Sequence, residues 1–301
     1  MPFSADLLPS SVSTLPLAYD ACAKLAREHY ENFPVASFWL PKEIRPAVAA
    51  VYAFARCADD FADEPGLTAP DRLSRLADWR RRLEACLTDH RQHPVFWALA
   101  DVFSRHRLPK APFENLLTAF EMDVQKARHA TFDDLLYYCG RSANPVGEIL
   151  LRLFGAWTEP MGRWSDAICT GLQLANFWQD VTVDALKGRL YIPLEDLAAR
   201  GLSEQAALQG PATEALRDLM GFQVRRTRTI FAEGRALADQ APAPLRRELR
   251  FVWLGGMEIL NKIERQGFDV WSRRPSLGAG DWARLVLPWL FWKPVPLAVA
   301  A

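Results

Sequence analysis

Apolar residues recur at three- and four-residue spacing along most of this chain of 301 residues, and proline and glycine fall largely at the joints between such segments. That spacing is typical of helices with one buried face, and no segment shows the two-residue alternation of a half-buried strand. The pattern therefore predicts an all-α fold. Because 50 % of the residues are hydrophobic, the chain can bury one large core, and we expect a single domain over residues 1–301.

The periodic segments predict helices whose ends lie near prolines, where a fixed φ and a missing N–H do least harm. These helices are 17–31, 43–64, 69–88, 93–106, 110–128, 131–139, 143–157, 162–184, 211–239, 243–266 and 281–292. We see no internal repeat, low-complexity tract or long linker.

The overall charge excludes some partners. Lys plus Arg and Asp plus Glu balance at 36 each, so no net field attracts nucleic acid, and we expect no nucleic-acid partner. The five cysteines are scattered and form no C-x-x-C pair, which predicts thiols in a reducing compartment. The N-terminus has neither a basic segment nor a long apolar one, so we expect a cytoplasmic protein.

Other cofactor signals are weak. His90 and His93 form an H-x-x-H pair in a polar stretch with no third ligand nearby, so we do not expect a metal there. The sequence contains no phosphate-binding loop and no G-x-G-x-x-G after a strand. No nucleotide cofactor is therefore predicted, and none such as NADPH is expected.

The C-terminal tail, residues 281–301, is rich in tryptophan. Its apolar run from Leu285 to Trp292 is too short to cross a bilayer, contains Pro288, and is flanked by Arg284 and Lys293. Two interpretations remain open. The tail is either an interfacial segment at the inner face of the cell membrane or a segment that packs back onto the helical core.

A first polar stripe lies in the otherwise apolar segment RPAVAAVYAFARCADDFADE, residues 45–64. Tyr52, Arg56, Asp59 or Asp60, and Asp63 follow one another at offsets of three or four, so on a helix they share one face. Carboxylates gathered there repel one another unless a cation neutralises them. Taken alone, such a cluster is also typical of a solvated acidic helix end.

A second stripe changes that balance. Gln173, Asn176, Asp180 and Asp184 recur at spacings of three, four and four on another mainly apolar helix. If the two helices face each other across a central cavity, their aspartates and Asn176 supply the hard oxygen ligands that Mg²⁺ prefers, and a substrate diphosphate completes its coordination. Arg56, Lys187 and Arg189 are candidates to balance the diphosphate charge.

Four motifs carry a resemblance to a known family. They are YAFARCADDFAD at residues 52–63, YCGRSANPVG at 138–147, QLANFWQDVTVD at 173–184 and GRLYIP at 188–193. In this order they resemble the squalene/phytoene synthases, over about residues 18–274. The resemblance implies a single-domain isoprenoid synthase bundle with a central active-site cavity.

The same resemblance implies residue roles. Magnesium ligands would be Asp59, Asp63, Asn176, Asp180 and Asp184, with Asp60 as a helper. Tyr52, Arg56 and Gln173 would act in catalysis, and the substrate would be bound by Arg56, Lys187, Arg189, Tyr138 and Gln179.

Three departures from the family pattern point to a subgroup. The stretch His29–Phe33 has Glu31 where coupling enzymes usually carry Lys. Gln179 replaces a common Arg, and Asn144 with Pro145 replaces Gly and a small residue. Two cations that would hold a second diphosphate are thus missing.

The combination of motifs and departures resembles the hydroxysqualene synthase branch of bacterial hopanoid biosynthesis. It implies that presqualene diphosphate ionises with magnesium, rearranges and captures water without NADPH, in association with other enzymes of that pathway. The nearest alternative is head-to-head coupling of two farnesyl diphosphates. A non-catalytic protein that assembles a lipid pathway is a third hypothesis, although it would not need the retained aspartates.

Overall fold

The computed structural model describes residues 4–5, 7–9, 11–28, 40–63, 65–88, 93–125 and 128–294. Within these ranges the chain is helical, and the one β pairing is an isolated bridge between Arg128 and Leu190. The predicted all-α class is therefore confirmed. The helices are α1 Leu15–Glu28, α2 Arg45–Asp63, α3 Ala69–Ala85, α4 Pro94–His106, α5 Ala111–Gln125, α6 Phe132–Ser142, α7 Asn144–Leu153, α8 Glu159–Gln179, α9 Val181–Leu186, α10 Leu194–Ala198, α11 Glu204–Gln209, α12 Glu214–Glu233, α13 Leu237–Gln240, α14 Ala243–Arg265 and α15 Ala279–Leu290.

The chain divides into two compact units. The first unit comprises Met1–Gln125 and Glu148–Trp157, and the second comprises Lys126–Gly147 and Thr158–Ala301. The predictions of one domain over residues 1–301 and of a central cavity stay predictions.

Two predicted helices are interrupted, and in each case the prediction of one continuous helix was wrong. The segment 162–184 breaks at Asp180 into α8 and α9. The segment 211–239 breaks at Gly234, where a 3-10 turn joins α12 to α13. A Cβ at Gly234 would lie 2.7 Å from the Trp164 carbonyl oxygen, so this turn lies directly against α8. The short helices α10 and α11 were missed because five or six residues show no helical period.

The core of the first unit forms around α2, which contacts α1, α3, α4 and α5. Phe54 is fully buried there and contacts the rings of Trp79, Phe96 and Phe113. The Trp79 indole N–H donates to the Phe54 carbonyl at 3.2 Å, so its polar atom is satisfied inside an apolar cluster. The polar stripe of α2 therefore lies on a helix that is fixed along its apolar faces.

The core of the second unit forms where α8, α12 and α14 meet. The buried Phe231 of α12 lies between two glycines: a Cβ at Gly171 would lie 2.8 Å from its Cγ, and a Cβ at Gly256 would lie 2.9 Å from its Cζ. Its ring also stacks on Trp253 at 5.8 Å. Glycine at both positions lets the aromatic ring fill the space that side chains would otherwise take.

A buried polar network holds the C-terminal half of α8. The Trp178 indole N–H donates to Thr227 Oγ1 at 2.8 Å, and the Thr227 hydroxyl donates to the Gln223 carbonyl at 2.8 Å. The Gln223 amide and Arg226 both donate to Asp196 Oδ2, at 2.9 and 2.6 Å. The Trp178 indole, the Thr227 hydroxyl and the Gln223 amide thus all have partners, and the network fixes the turn of α8 that carries the second polar stripe.

The C-terminal tail packs onto the second unit through its tryptophans. Trp282 stacks on Phe251 at 5.3 Å, Trp289 donates to the Arg247 carbonyl at 3.0 Å, and Trp292 donates to Asp239 Oδ1 at 2.6 Å. The packing interpretation is thus confirmed up to residue 294. Among the described residues, no helix is long and apolar enough to cross a membrane.

We predict that Gly171→Ala destabilises the protein by about 1–3 kcal/mol, because its methyl group overlaps the buried Phe231 ring. The matched control is Gly140→Ala in α6, where a Cβ meets nothing within 4 Å and better helix propensity gives at most about 1 kcal/mol of stabilisation. Urea denaturation of both variants measures the difference. Equal midpoints would contradict the close approach of α8 and α12.

Candidate active site

The first polar stripe lies along the C-terminal half of α2. Arg56 lies between two aspartates of its own helix: its Nη1 contacts Asp59 Oδ2 at 3.1 Å and its Nη2 contacts Asp60 Oδ1 at 2.6 Å. Asp63 is the last residue of the helix. The offsets predicted from the sequence are therefore realised, and a cation of the same stripe lies beside its carboxylates.

The neighbouring aspartates Asp59 and Asp60 differ in exposure. The Asp59 side chain is 45 % exposed, whereas that of Asp60 is 2 % exposed. The other Asp60 oxygen accepts the Ser4 backbone N–H at 2.7 Å, so both of its oxygens contact protein groups. The structure thus places Asp60, which the sequence suggested as a helper ligand, as the buried partner of Arg56.

Arg72 supports the end of α2, although no local sequence pattern points to it. No basic residue lies in the last turn of α2, although a helix C-terminus with carboxylates beside it is electrostatically unfavourable. Arg72 of α3 donates to the Ala62 carbonyl and, through Nε, to the Leu67 carbonyl at 3.3 Å. A cation from the next helix thereby caps the acidic end of α2.

Tyr52 lies one turn before Arg56 on the same stripe. Burial raises the pKa of its phenol; the negative charges of Asp59 and Asp60 raise it further, and Arg56 lowers it. Tyr52 is therefore a neutral phenol around pH 7, and its O–H can donate to an anion.

The second stripe runs through the junction of α8 and α9. Asn176 is exposed near the end of α8, and Gln173, one turn earlier, is half-buried. Asp180 leaves helical geometry, with φ −106° and ψ 13°. Even so, its N–H donates to the Asn176 carbonyl at 2.9 Å, and its own carbonyl accepts the Asp184 N–H at 2.8 Å. The break therefore preserves the spacing of these oxygen-bearing residues.

Arg274 is a site residue that sequence reasoning missed. Its Nε donates to Asp180 Oδ1, and its Nη2 donates to Oδ2 at 3.2 Å, so the guanidinium binds the carboxylate through both oxygens. The hydrogen bond to Asp180 raises the pKa of Arg274, and the charges of Asp180 and Asp184 add to this despite burial. Only its position at the end of the family resemblance could have pointed to it, since 94 residues separate the pair.

The motif GRLYIP forms the turn after α9. Gly188 has φ +70°, a conformation that a side chain disfavours, and its carbonyl accepts from Arg128 at 2.6 Å. The backbone N–H groups of Lys187 and Arg189 donate to the Asp184 carbonyl at 3.0 and 2.9 Å. The predicted cations thus flank the turn that holds Asp184; Lys187 is exposed and Arg189 half-buried.

An aromatic cluster lies at the start of this turn. Tyr191 stacks on Phe177 of α8 at 3.8 Å, and Tyr138 lies 5.9 Å from Tyr191 and 6.0 Å from Phe177. His129 stacks on Tyr191 at 5.8 Å. Tyr138, predicted to bind substrate, is thus a buried member of an aromatic cluster beside the second polar stripe.

The chemistry of the donors fits magnesium. The candidate ligands are all carboxylate or amide oxygens: Asp59, Asp63, Asn176, Asp180 and Asp184. Two of them, Asp59 and Asp180, each form an ion pair with an arginine guanidinium, so both carboxylates attract a positive charge. Among the described residues, no group of three or more His, Cys, Asp or Glu could hold a metal ion. A substrate diphosphate would have to complete the coordination.

Two sequence predictions concern residues that are wholly or partly outside the described ranges. The stretch His29–Phe33 with Glu31 lies outside them, as does His90. His93 accepts the Val95 N–H through Nδ1 at 3.3 Å and caps α4. Burial lowers the pKa of His93 to about 4, with Arg82 contributing, so this histidine has a structural role in α4.

Comparison with known proteins decides the family. The family model described as squalene/phytoene synthase matches residues 26–281. The chain belongs to the squalene/phytoene synthase family. It is therefore an isoprenoid-biosynthesis enzyme that acts on prenyl diphosphates, in a family whose members generally depend on divalent metal ions.

Phytoene synthases are among the relatives of this chain. It is 32 % identical to a phytoene synthase of Arthrospira platensis, over 85 % of this chain and 87 % of the relative. It is 31 % identical to the 15-cis-phytoene synthase of Synechococcus elongatus, over 88 % and 89 %.

Solved structures confirm the isoprenoid synthase fold. The squalene synthase HpnC from Alicyclobacillus acidocaldarius matches with a TM-score of 0.81 and 36 % identity, over 88 % of this chain and 99 % of that one. A dehydrosqualene synthase matches with a TM-score of 0.79 over 92 % and 96 %; at 24 % identity it shows the fold alone.

We predict that Asp59→Asn and Asp60→Asn, although adjacent, differ in their effect on stability. Asp60→Asn leaves Arg56 without its buried partner and costs about 2–4 kcal/mol, whereas the half-exposed Asp59→Asn costs less than about 1 kcal/mol. Urea denaturation gives both values. A stability loss of the same size in both variants would contradict the structural role of Asp60.

Proposed function

We propose that the protein is a hydroxysqualene synthase, which converts presqualene diphosphate and water to hydroxysqualene and diphosphate. The bond from carbon to the diphosphate oxygen breaks with its electron pair leaving on the diphosphate. The cyclopropylcarbinyl cation rearranges, a water oxygen forms the new carbon–oxygen bond, and one proton is released. No oxidation or reduction occurs, so the proposal requires no NADPH.

The observation that carries this proposal is the uncharged Gln179 at the end of α8. It immediately precedes Asp180, where coupling enzymes of the family usually have Arg. Gln179 is half-buried, and its amide can both donate and accept a hydrogen bond. A site with one cation fewer is better matched to a substrate with a single diphosphate.

Charge-assisted contacts would hold and release the diphosphate. Arg56 and Arg274 present planar guanidinium groups that can bind phosphate oxygens through two hydrogen bonds. Arg189 and Lys187 add positive charge beside Asp184, and the neutral Tyr52 phenol donates a hydrogen bond to the leaving oxygen. When bound, Mg²⁺ supplies Lewis-acid stabilisation of the leaving diphosphate.

Water capture would depend on positioning. Gln173 lies one turn before Asn176 on the polar stripe, and its amide can hold a water molecule near the reacting carbon. Three residues earlier on α8, the Thr170 hydroxyl donates to Asn144 Oδ1 at 2.9 Å, so a residue that departs from the family pattern contacts the same helix. A carbocation reacts with neutral water, so orientation can suffice without a strong base.

A second candidate is the coupling of two prenyl diphosphates head to head, as in presqualene diphosphate or squalene synthesis. Identity of 31–32 % to phytoene synthases favours this reaction class. The same oxygen ligands would serve it. Glu31 and Gln179 argue against it, because a second diphosphate needs more positive charge. Hydroxysqualene formation would make the enzyme a carbon–oxygen lyase, whereas head-to-head coupling would make it a prenyltransferase.

The proposal predicts that, with magnesium and no NADPH, the purified protein forms hydroxysqualene from presqualene diphosphate. Mass spectrometry of the products, with farnesyl diphosphate in a parallel incubation, decides between the two candidates. Presqualene diphosphate made from farnesyl diphosphate would identify the coupling enzyme. Chelator should abolish turnover and added Mg²⁺ restore it, whereas full activity in chelator would rule out the metal site.

We also predict that Gln179→Arg slows release of diphosphate and so lowers kcat, because the added cation binds the product. The control is Gln205→Arg, an exposed position of α11. Steady-state kinetics with inorganic diphosphate as inhibitor measure the effect, and we expect tighter inhibition in the Gln179 variant alone. Unchanged kinetics would indicate that Gln179 does not face the leaving group.

A further inference from the structure

A buried hydroxyl without a hydrogen-bond partner lies at the end of α6. Ser142 is the last residue of this helix, and its Oγ is buried with no partner among the described residues. A buried hydroxyl in a folded protein is normally bonded to a protein group or to an ordered water molecule. Ser142 Oγ therefore marks a place where a small polar molecule can bind.

Ser142 lies on the face of α6 that packs against α8. The buried residues of α6 are Leu135, Tyr138 and Cys139, and Ser142 follows them at offsets of seven, four and three. The Tyr138 ring lies 6.0 Å from the ring of Phe177 on α8. The Ser142 hydroxyl therefore lies on the α8 side of α6, one turn along from this aromatic contact.

A polar contact joins the start of α7 to α8. The Thr170 hydroxyl donates to Asn144 Oδ1 at 2.9 Å, so the Asn144 side chain accepts through its oxygen, and its amide nitrogen can only donate. One turn further along α7, a Cβ at Gly147 would overlap Ser165 Oγ. The first turn of α7 therefore lies close against α8.

Gln173 lies between these two contacts. Thr170, Gln173 and Phe177 follow one another at offsets of three and four on α8, so they share one face. The outer two contact α7 and α6, so Gln173 lies opposite the junction of those helices, beside which Ser142 lies. Three half-buried polar side chains, those of Ser142, Asn144 and Gln173, are thereby gathered along one side of α8.

We propose that Ser142, Asn144 and Gln173 hold the water molecule that captures the carbocation, and that this site directs the reaction to an alcohol. The inference rests on the proposed function. One hydroxyl and two amides supply the two to four hydrogen bonds that a buried water molecule needs. By helical rise, Gln173 lies about 4.5 Å before Asn176 along α8, so the water lies next to the candidate metal ligands and within reach of the reacting carbon.

The position of this water molecule decides the product. Its oxygen donates an electron pair to the cationic carbon, and one proton then passes to the departed diphosphate or to solvent. Without a placed water molecule, the cation loses a proton from a neighbouring carbon, and a hydrocarbon with one more double bond forms. Neither route needs an oxidant or a reductant. Loss of the site therefore changes the product while ionisation of the substrate continues.

A pair of substitutions of equal shape, Ser142→Val and Ser142→Thr, tests the hydroxyl. Given presqualene diphosphate and magnesium, Ser142→Val should lower the ratio of hydroxysqualene to hydrocarbon about fivefold or more, because a hydrogen bond to the water is lost. Ser142→Thr keeps the hydroxyl and should stay near the wild-type ratio. Substrate consumption should change little in either variant, since the oxygen ligands are intact. Mass spectrometry of the products measures both quantities.

Asn144→Ala tests the second group and should lower the ratio in the same direction. The matched control is Ser165→Ala, which removes another buried hydroxyl of α8 that lies against Gly147, away from the polar stripe. This control should keep the wild-type ratio. Circular dichroism and melting temperature confirm that each variant is folded.

The failure of this inference can be told apart from that of the proposed function. Hydroxysqualene from the wild type, at an unchanged ratio in Ser142→Val and Asn144→Ala, would overturn the water site and leave the proposed function standing. No hydroxysqualene from the wild type would overturn the proposed function and water capture with it.

A crystal structure of the wild-type protein tests the site without turnover. We expect an ordered water molecule within hydrogen-bond distance of Ser142 Oγ and of Asn144 or Gln173, and we expect Ser142→Val to lose it. A Ser142 hydroxyl that donates to the Tyr138 carbonyl instead, with no water beside it, would overturn the inference whichever product the enzyme makes.

Discussion

Carboxylates at the ends of mainly buried helices must be neutralised, and arginines do this in both units. Arg56 contacts Asp59 and Asp60 on α2, and Arg274 binds both oxygens of Asp180 at the end of α8. Without these cations, the acidic residues would repel one another near apolar cores and at the negative end of a helix dipole. The aspartates that are candidate metal ligands therefore also bind arginine side chains.

Packing in the second unit keeps its stripe in place. Phe231 can fill the space between α8 and α14 because Gly171 and Gly256 have no side chains. The hydrogen bond from Trp178 to Thr227 then fixes the rotation of α8, since an indole N–H buried elsewhere would lack a partner. The contacts of Gly171 and Trp178 with α12 therefore determine where Asn176 and Asp180 lie, although neither Gly171 nor Trp178 belongs to the candidate site.

The sequence predicted the parts of this structure that have a local period. Both polar stripes and nearly all longer helices follow from three- and four-residue spacing, and the motifs led to the correct family. Arg72 and Arg274 could not be predicted, because their partners are distant in sequence and no local pattern links them. The break at Asp180 was missed for a related reason: the spacing of four continues through it while the backbone leaves helical geometry.

The paired state of Asp59 and Asp180 has a consequence for the order of binding. Under the proposed function, a metal ion that takes either carboxylate would first have to displace a guanidinium, so metal alone would bind at the expense of an existing ion pair. A diphosphate bound together with the metal would accept the displaced guanidinium and recover that interaction. Metal and diphosphate would then favour each other's binding, and by linkage each would strengthen the other by the same factor. When both leave, the arginines would return to the aspartates.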